Sequence, residues 1–229
     1  MEQCNQPVRR DWAAWHDAYD EPGSALSRRL WTVQQRLREA VDAAPQGRIR
    51  AISLCAGQGR DLIGALRDHP RRDDLAGRLV ELDPANVRRA GAAARDAGLK
   101  RVSAVVGDAS RTDAYAGAVP ANVVLVCGVF GNIADVDIER TIGHLPQLCA
   151  PGASVVWTRN RQPPDVTPRI REWFAEHDFE ERWISPPEES AYGVGMHRFT
   201  GTPQPLRRGG QMFTFVGYDV LRKGRPWPE

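Results

Sequence analysis

RIRAISLCAGQGRDL, residues 48–62, is the stretch around which the rest of the chain is read. Ile49, Ala51, Ile52 and Leu54 form an almost uncharged apolar run after Arg50, as a strand covered on both faces of a parallel sheet requires. Ala56, Gly57 and Gly59 follow as a turn of small residues, where backbone can approach a ligand with no Cβ in the way. From Asp61 onward Leu62, Ile63 and Leu66 recur at helical spacing, so the strand breaks into a glycine turn and reopens as a helix whose amino end faces whatever the turn holds. That order occurs in several nucleotide-binding folds, and an ordinary tight turn can carry the same letters.

Further strands lie downstream. GRLVELDPANVRRA (77–90) reads as a second strand ending in acids, with Glu81 standing 22 residues beyond Gly59, close to the offset of roughly 20 residues expected of a ribose-binding acid. VSAVVGDAS (102–110) is a third, ending in Gly107 and Asp108. ANVVLVCGVFGNI (121–133) is a continuous apolar fourth, ending in Gly128, Phe130, Gly131 and Asn132, and ASVVWTRN (153–160) is a fifth. Ligands of open α/β sheets sit beyond the carboxyl ends of the strands, so these polar endings are where function is sought.

On these residues the chain resembles the class I S-adenosylmethionine-dependent methyltransferases, over roughly residues 48–160. The resemblance implies a Rossmann-like, doubly wound α/β fold: a seven-stranded, mostly parallel sheet with one antiparallel strand near its edge, preceded by an N-terminal helical lid. It implies S-adenosyl-L-methionine as cofactor, its methionine part at Cys55, Ala56, Gly57 and Gly59, its ribose at Glu81 and its adenine at Asp108. Leu82 and Ala109 flank the two acids, and Cys127 and Gly128 would lie near the methionine portion. Glu81 is preferred to Asp83 because LDP follows it, matching the family's acid, apolar, polar, proline order. Two positions depart from the pattern: Ser53 stands where the family usually has an acid and Cys55 where it has its first glycine, leaving the cofactor's amino-group contact unassigned.

The substrate half of the site leaves weaker marks. Phe130 is a candidate pocket wall. Asn132 could orient a polar group or simply be a turn residue or N-cap, and Arg159 has a fork suited to a carboxylate or phosphate but could be one exposed arginine among many. Trp12 to Tyr19, with His16 and Tyr19, reads as a lid over cofactor and substrate or as plain aromatic packing. The helix after it, Leu26 to Val41, carries one apolar stripe and reads as scaffold; so does the charged connector HPRRDDLAG (69–77), as a solvated loop. QMFTFVGYDV (211–220) alternates like a final, antiparallel strand, leaving YGVGMHRFTG (192–201) in a long loop spanning 187–210. His197 in that loop is the candidate general base, its competing reading a structural or surface histidine.

The expected organisation is one domain over 1–229: an arm or lid at 1–47, a cofactor-binding core at 48–160, and a C-terminal helix, strands and substrate loop at 161–229. No apolar run approaches the length needed to span a bilayer and MEQCNQPVRR lacks a signal peptide's apolar segment, so a cytoplasmic location without membrane is the expectation. Net charge is +2, and 29 of the 31 basic residues are scattered arginines, which disfavours nucleic acid as a partner and leaves a small-molecule substrate; a homodimer is compatible. Cys4, Cys55, Cys127 and Cys149 have no metal-ligand spacing, and no metal is expected. The expected activity is methyl transfer to an O, N or C acceptor. A NAD-dependent oxidoreductase competes for the same turn but fits less well, since Leu62 occupies the third glycine of GxGxxG; a non-catalytic binding module of the same fold is the other alternative.

Overall fold

A computed structural model describes residues 19, 21, 23–188, 191–217 and 221. Ser24 caps the first helix among the described residues, α1 (Ala25–Ala43), by accepting from the Ser27 amide at 2.9 Å, and the helix buries Leu26, Val33, Leu37 and Val41 along one side. Its far end is held by Arg71, whose guanidinium donates to the carbonyls of Val41 (2.8 Å), Ala44 (2.7 Å) and Pro45 (2.6 Å). The connector expected to be a solvated loop is therefore a cap for α1, because a helix leaves its last carbonyls without partners in its own backbone.

β1 (Ile49–Ser53) leads through the glycine turn into α2 (Arg60–Leu66), followed by β2 (Leu75–Glu81), α3 (Pro84–Asp96), β3 (Val102–Val106) and β4 (Ala121–Val126). α4 (Asp135–His144), β5 (Cys149–Asn160), α5 (Thr167–Glu176), β6 (Phe179–Ile184) and β7 (Tyr192–Phe199) complete the order. The seven strands form one sheet in the order β3-β2-β1-β4-β5-β7-β6, parallel from β3 to β5, with β7 antiparallel to both its neighbours. α1, α2 and α3 pack on one face, and α4 and α5 on the other. Fully buried side chains such as Ile52, Leu54 and Val124 contribute about 1.5–3 kcal/mol each relative to exposure. Among the described residues no helix is long and apolar enough to cross a membrane.

The antiparallel strand exists, but not where its sequence suggested. Residues 192–199, expected inside a loop, form β7, while 211–217 run as an extended strap. Gly193 and Gly195 look like loop residues, yet they are what lets β7 lie against its neighbours: a Cβ on Gly195 would stand 2.3 Å from Cε2 of Trp157. The strap buries the adjacent Met212 and Phe213, and it is held by a loop and a helix, the Met212 amide donating to the Ser110 carbonyl at 2.8 Å and the Thr214 amide to Asp137 Oδ2, in the first turn of α4, at 2.8 Å.

Candidate active site

The turn after β1 is shaped by left-handed backbone. Cys55 (φ 49°), Gly57 (φ 55°) and Gly59 (φ 72°) all lie in that region, and a Cβ on Gly59 would meet Ile63 Cδ1 and Leu79 Cδ1 at 2.8 Å each. Cys55 is the one residue of the three for which this conformation carries strain. The Ala56 amide donates to the Val80 carbonyl at 2.9 Å, tying the turn to β2. Glu81, at the tip of β2, then closes over the turn: Oε2 accepts from the Gly57 amide at 2.7 Å and Oε1 from the Asp83 amide at 2.9 Å. Asp83 itself caps α3, Oδ1 accepting from Ala85 at 2.7 Å, so the two acids have separate tasks. Leu82, between them, is 69% exposed.

At the tip of β3, Asp108 Oδ1 accepts from the Ser110 amide at 2.9 Å, and the neighbouring Ala109 carbonyl accepts from the Tyr115 hydroxyl at 2.8 Å. Burial, and then the charges of Glu81 and Asp108, push the Cys55 thiol well above its ordinary range, so it remains protonated and both carboxylates bear on one small space. This cradle suits a nucleoside: a carboxylate poised at the rim of an open glycine turn, an exposed apolar side chain beside it and a second acid one strand along.

On the other side of β1, Gly128 (φ 75°) follows β4 with nothing within 4 Å of where a Cβ would stand, and its amide donates to Thr158 Oγ1 at 2.9 Å. Asn132 is used by the backbone: Nδ2 donates to the Gly128 carbonyl at 2.7 Å, and its own carbonyl accepts from Val216 and Gly217 of the strap. Arg159 turns onto the neighbouring Asn160, Nη1 donating to Oδ1 at 2.5 Å. Phe130 is fully buried beside Trp157, with ring centroids 6.0 Å apart, and fills the core below the tips, not the wall of a cleft.

Two charged residues that sequence reasoning passed over as site residues, Arg29 and Asp61, lie near the expected candidate Tyr19. Arg29, on the stripe side of α1, is only 6% exposed, donates to the Tyr19 hydroxyl, and lies 5.5 Å from the Tyr19 ring centroid and 5.2 Å from that of Tyr192. Asp61 stands in the first turn of α2, next to Arg60, whose guanidinium lies 5.7 Å from the same Tyr19 ring, and the Cys127 thiol at the tip of β4 donates to the Val156 carbonyl at 3.8 Å. Burial raises the Asp61 carboxyl's pKa, with Arg29 and then Cys127 opposing the rise. Tyr19 is likewise pushed up, first by burial. The signal for Arg29 was its spacing, three residues after Leu26 and four before Val33, which sets a charge on an apolar face. His16 lies outside the described residues.

His197 is not brought to this site. It sits within β7 opposite Val155, five register positions from the Asn160–Tyr192 pair at the tip, which is about 16 Å along a strand. Its ring, 1% exposed, stacks on Phe174 at 4.2 Å, Nδ1 accepts from Trp157 Nε1 at 3.1 Å, and Nε2 stands 3.8 Å from Glu181 Oε2. Burial lowers its pKa to about 4, against the pull of Glu181. The placement expected for it, in a long substrate loop at 187–210, is corrected: it lies in β7 and its neighbours are aromatic core residues.

A cleft of about 470 Å³ opens beside the β5 and β7 tips, lined by Arg28, Arg161, Gln162, Pro163, Pro187 and Glu188 among others.

A family model described as "Putative methyltransferase" matches residues 24–185. No curated protein matches the chain. Among solved structures the chain is similar to a CurJ carbon methyltransferase (TM-score 0.66, 14% identity, 83% of this chain and 59% of that one). It is also similar to a magnesium protoporphyrin IX methyltransferase from Synechocystis PCC 6803 with bound SAM (TM-score 0.61, 11% identity, 82% and 90%). A third is an O-methyltransferase family 2 protein from Planctomyces limnophilus in complex with apigenin (TM-score 0.55, 17% identity, 76% and 59%). At these identities the likeness is one of fold. The chain spans about three fifths of the first and third of these structures.

Proposed function

We propose, on the premise that this chain belongs to the methyltransferase family matched over residues 24–185, that it transfers the methyl group of S-adenosylmethionine to a small-molecule acceptor. The observation that carries the reading is the Glu81 carboxylate, fixed at the rim of the glycine turn by the Gly57 and Asp83 amides. A carboxylate so oriented accepts from two vicinal hydroxyls without reorganising, which is how a ribose is gripped. Asp108, one strand along, supplies an acceptor for an adenine amino group, and the exposed Leu82 an apolar surface for its ring. When bound, the cofactor supplies an electrophilic methyl group on a sulfonium, open to in-line displacement.

What this chain adds is alignment, which is most of what such a displacement needs. Gly128 leaves the space over the β4 tip open, and the cleft beside the β5 and β7 tips lies at the same carboxyl end of the parallel strands. A small acceptor is supported by that cleft's size and by the fold's likeness to carbon and oxygen methyltransferases, one of them holding apigenin. An O, N or C acceptor fits equally, and His197 takes no part in removing its proton.

Calorimetry with S-adenosylhomocysteine and with NAD tests the reading. The expected result is S-adenosylhomocysteine binding that falls about a hundredfold in Glu81→Ala as two charge-assisted hydrogen bonds are lost. NAD binding in its place would support an oxidoreductase, and an unaffected Glu81→Ala variant would remove the carrying observation.

A further inference from the structure

The cradle at Glu81 accounts for a nucleoside but leaves the charged amino-acid end of the cofactor unplaced, because Ser53 at the end of β1 is a buried hydroxyl where the resemblance implies an acid. We propose that Arg29 and Asp61 form the missing clamp, Arg29 holding the cofactor's α-carboxylate and Asp61 its α-ammonium. The proposal rests on the cofactor reading above.

Three observations converge on it. The first is position. In the sheet order β2-β1-β4 the turn lies between Glu81 on one side and Cys127 on the other, so a nucleoside held at β2 and β3 extends its tail over β1 toward β4. Asp61 stands in the first turn of α2, two residues after Gly59, and Arg29, from the amino end of α1, lies over the same Tyr19 ring as the neighbouring Arg60, at 5.5 and 5.7 Å. The second is fixation. Gln34 of α1 donates to the Arg60 carbonyl at 2.9 Å, which locks α1 against the start of α2, and the Tyr19 and Tyr192 rings flank the guanidinium. A planar fork held between rings is preorganised for bidentate contact with a carboxylate. The third is energetic. Burying opposite charges is weak as a stabilising device, because desolvation offsets most of their attraction. A zwitterionic ligand gives each member of the pair a partner of opposite charge. An arriving ammonium would also favour the ionised Asp61, which burial disfavours in the free protein.

The test is calorimetry on the full chain with two ligands: S-adenosylhomocysteine, and 5′-methylthioadenosine, which lacks the amino-acid end. Arg29→Gln and Asp61→Asn are each expected to weaken S-adenosylhomocysteine about tenfold or more, while 5′-methylthioadenosine changes less than about twofold. Arg29→Lys, which keeps the cation but not the fork, should fall between the parent and Arg29→Gln, and it serves as the folded control if Arg29→Gln does not express. Equal weakening of both ligands, or unchanged S-adenosylhomocysteine binding, would overturn the clamp while leaving the cofactor assignment standing. A parent chain that binds neither ligand would overturn the cofactor reading, and the clamp with it.

Discussion

Glu81 ends β2 and His197 lies inside β7, and the fold treats these two polar side chains in opposite ways. Glu81 has both carboxylate oxygens on backbone amides of the tip, Gly57 and Asp83, and stands where a ligand can reach it. His197 has one nitrogen on Trp157, the other facing Glu181 across 3.8 Å, and aromatic rings on its remaining sides. Chemically the histidine is the more versatile group, and burial shifts its pKa downward. Height along the strand decides between them: a polar group at a carboxyl tip meets the ligand, and one in mid-strand must be satisfied by the core. A perturbed pKa therefore marks burial here, not catalysis.

The contrast is sharpest in its pH dependence. His197 titrates near 4 in the fold and near 6.5 in an unfolded chain, so between those values the unfolded state binds more protons. Its contribution to stability is fully present above about pH 6.5 and is lost as the pH falls toward 4, about 3 kcal/mol in all. Denaturant titrations from pH 7 to pH 4 should show that loss in the parent and a much flatter profile in His197→Gln, whose turnover per folded molecule at pH 7.5 should stay within about twofold of the parent. Turnover abolished in a folded His197→Gln would return this residue to the chemistry and break the comparison.

Next in size is Gly195→Ala, on the same side. Its Cβ would fall 2.3–2.5 Å from three atoms of the Trp157 indole, and that ring is packed against Phe130, Phe174 and His197 and cannot give way. A loss of about 2 kcal/mol is expected from overpacking, read as a lower denaturant midpoint, with S-adenosylhomocysteine affinity unaffected in the folded protein. An unchanged midpoint would mean that the aromatic cluster is looser than its geometry.

How much of this was legible before the fold was known follows the same divide. The parallel half of the sheet was readable because buried parallel strands are continuous apolar runs, and the glycine turn, Glu81 and Asp108 announce their ends. β7 was not, because Gly195 is there to admit Trp157 and Gly193 to admit Thr167, contacts made to residues some 26 to 38 positions earlier. The strap at 211–217 misled for the reverse reason: its mix of apolar and polar residues reads like a strand, but the adjacent Met212 and Phe213 are both buried as a plug while Phe215 is 45% exposed, and a short apolar segment cannot distinguish a ladder from a plug. Arg29 and Asp61 were hidden differently. Arg29 belongs to a helix that reads as scaffold and Asp61 to one that reads only as opening from the glycine turn, and the meeting of α1 with α2 is what sets them together.

The smallest of the expected effects probes the other member of the comparison. Among the described residues the Asp108 carboxylate accepts one hydrogen bond, from the Ser110 amide, and it lies outside both hydrophobic clusters, so Asp108→Ala should cost little stability. Its carboxylate has a second oxygen at the tip of β3, and a cofactor's adenine amino group would give that oxygen one charge-assisted bond. Removing it should weaken S-adenosylhomocysteine about tenfold, or roughly 1.4 kcal/mol, by calorimetry. An Asp108→Ala variant of normal affinity but lowered midpoint would show that the loop from Asp108 to Ser110, which also receives the Met212 amide of the strap, is a structural seam. Tip position alone would then be insufficient, and the rule separating Glu81 from His197 would need the added condition that the polar group border the glycine turn.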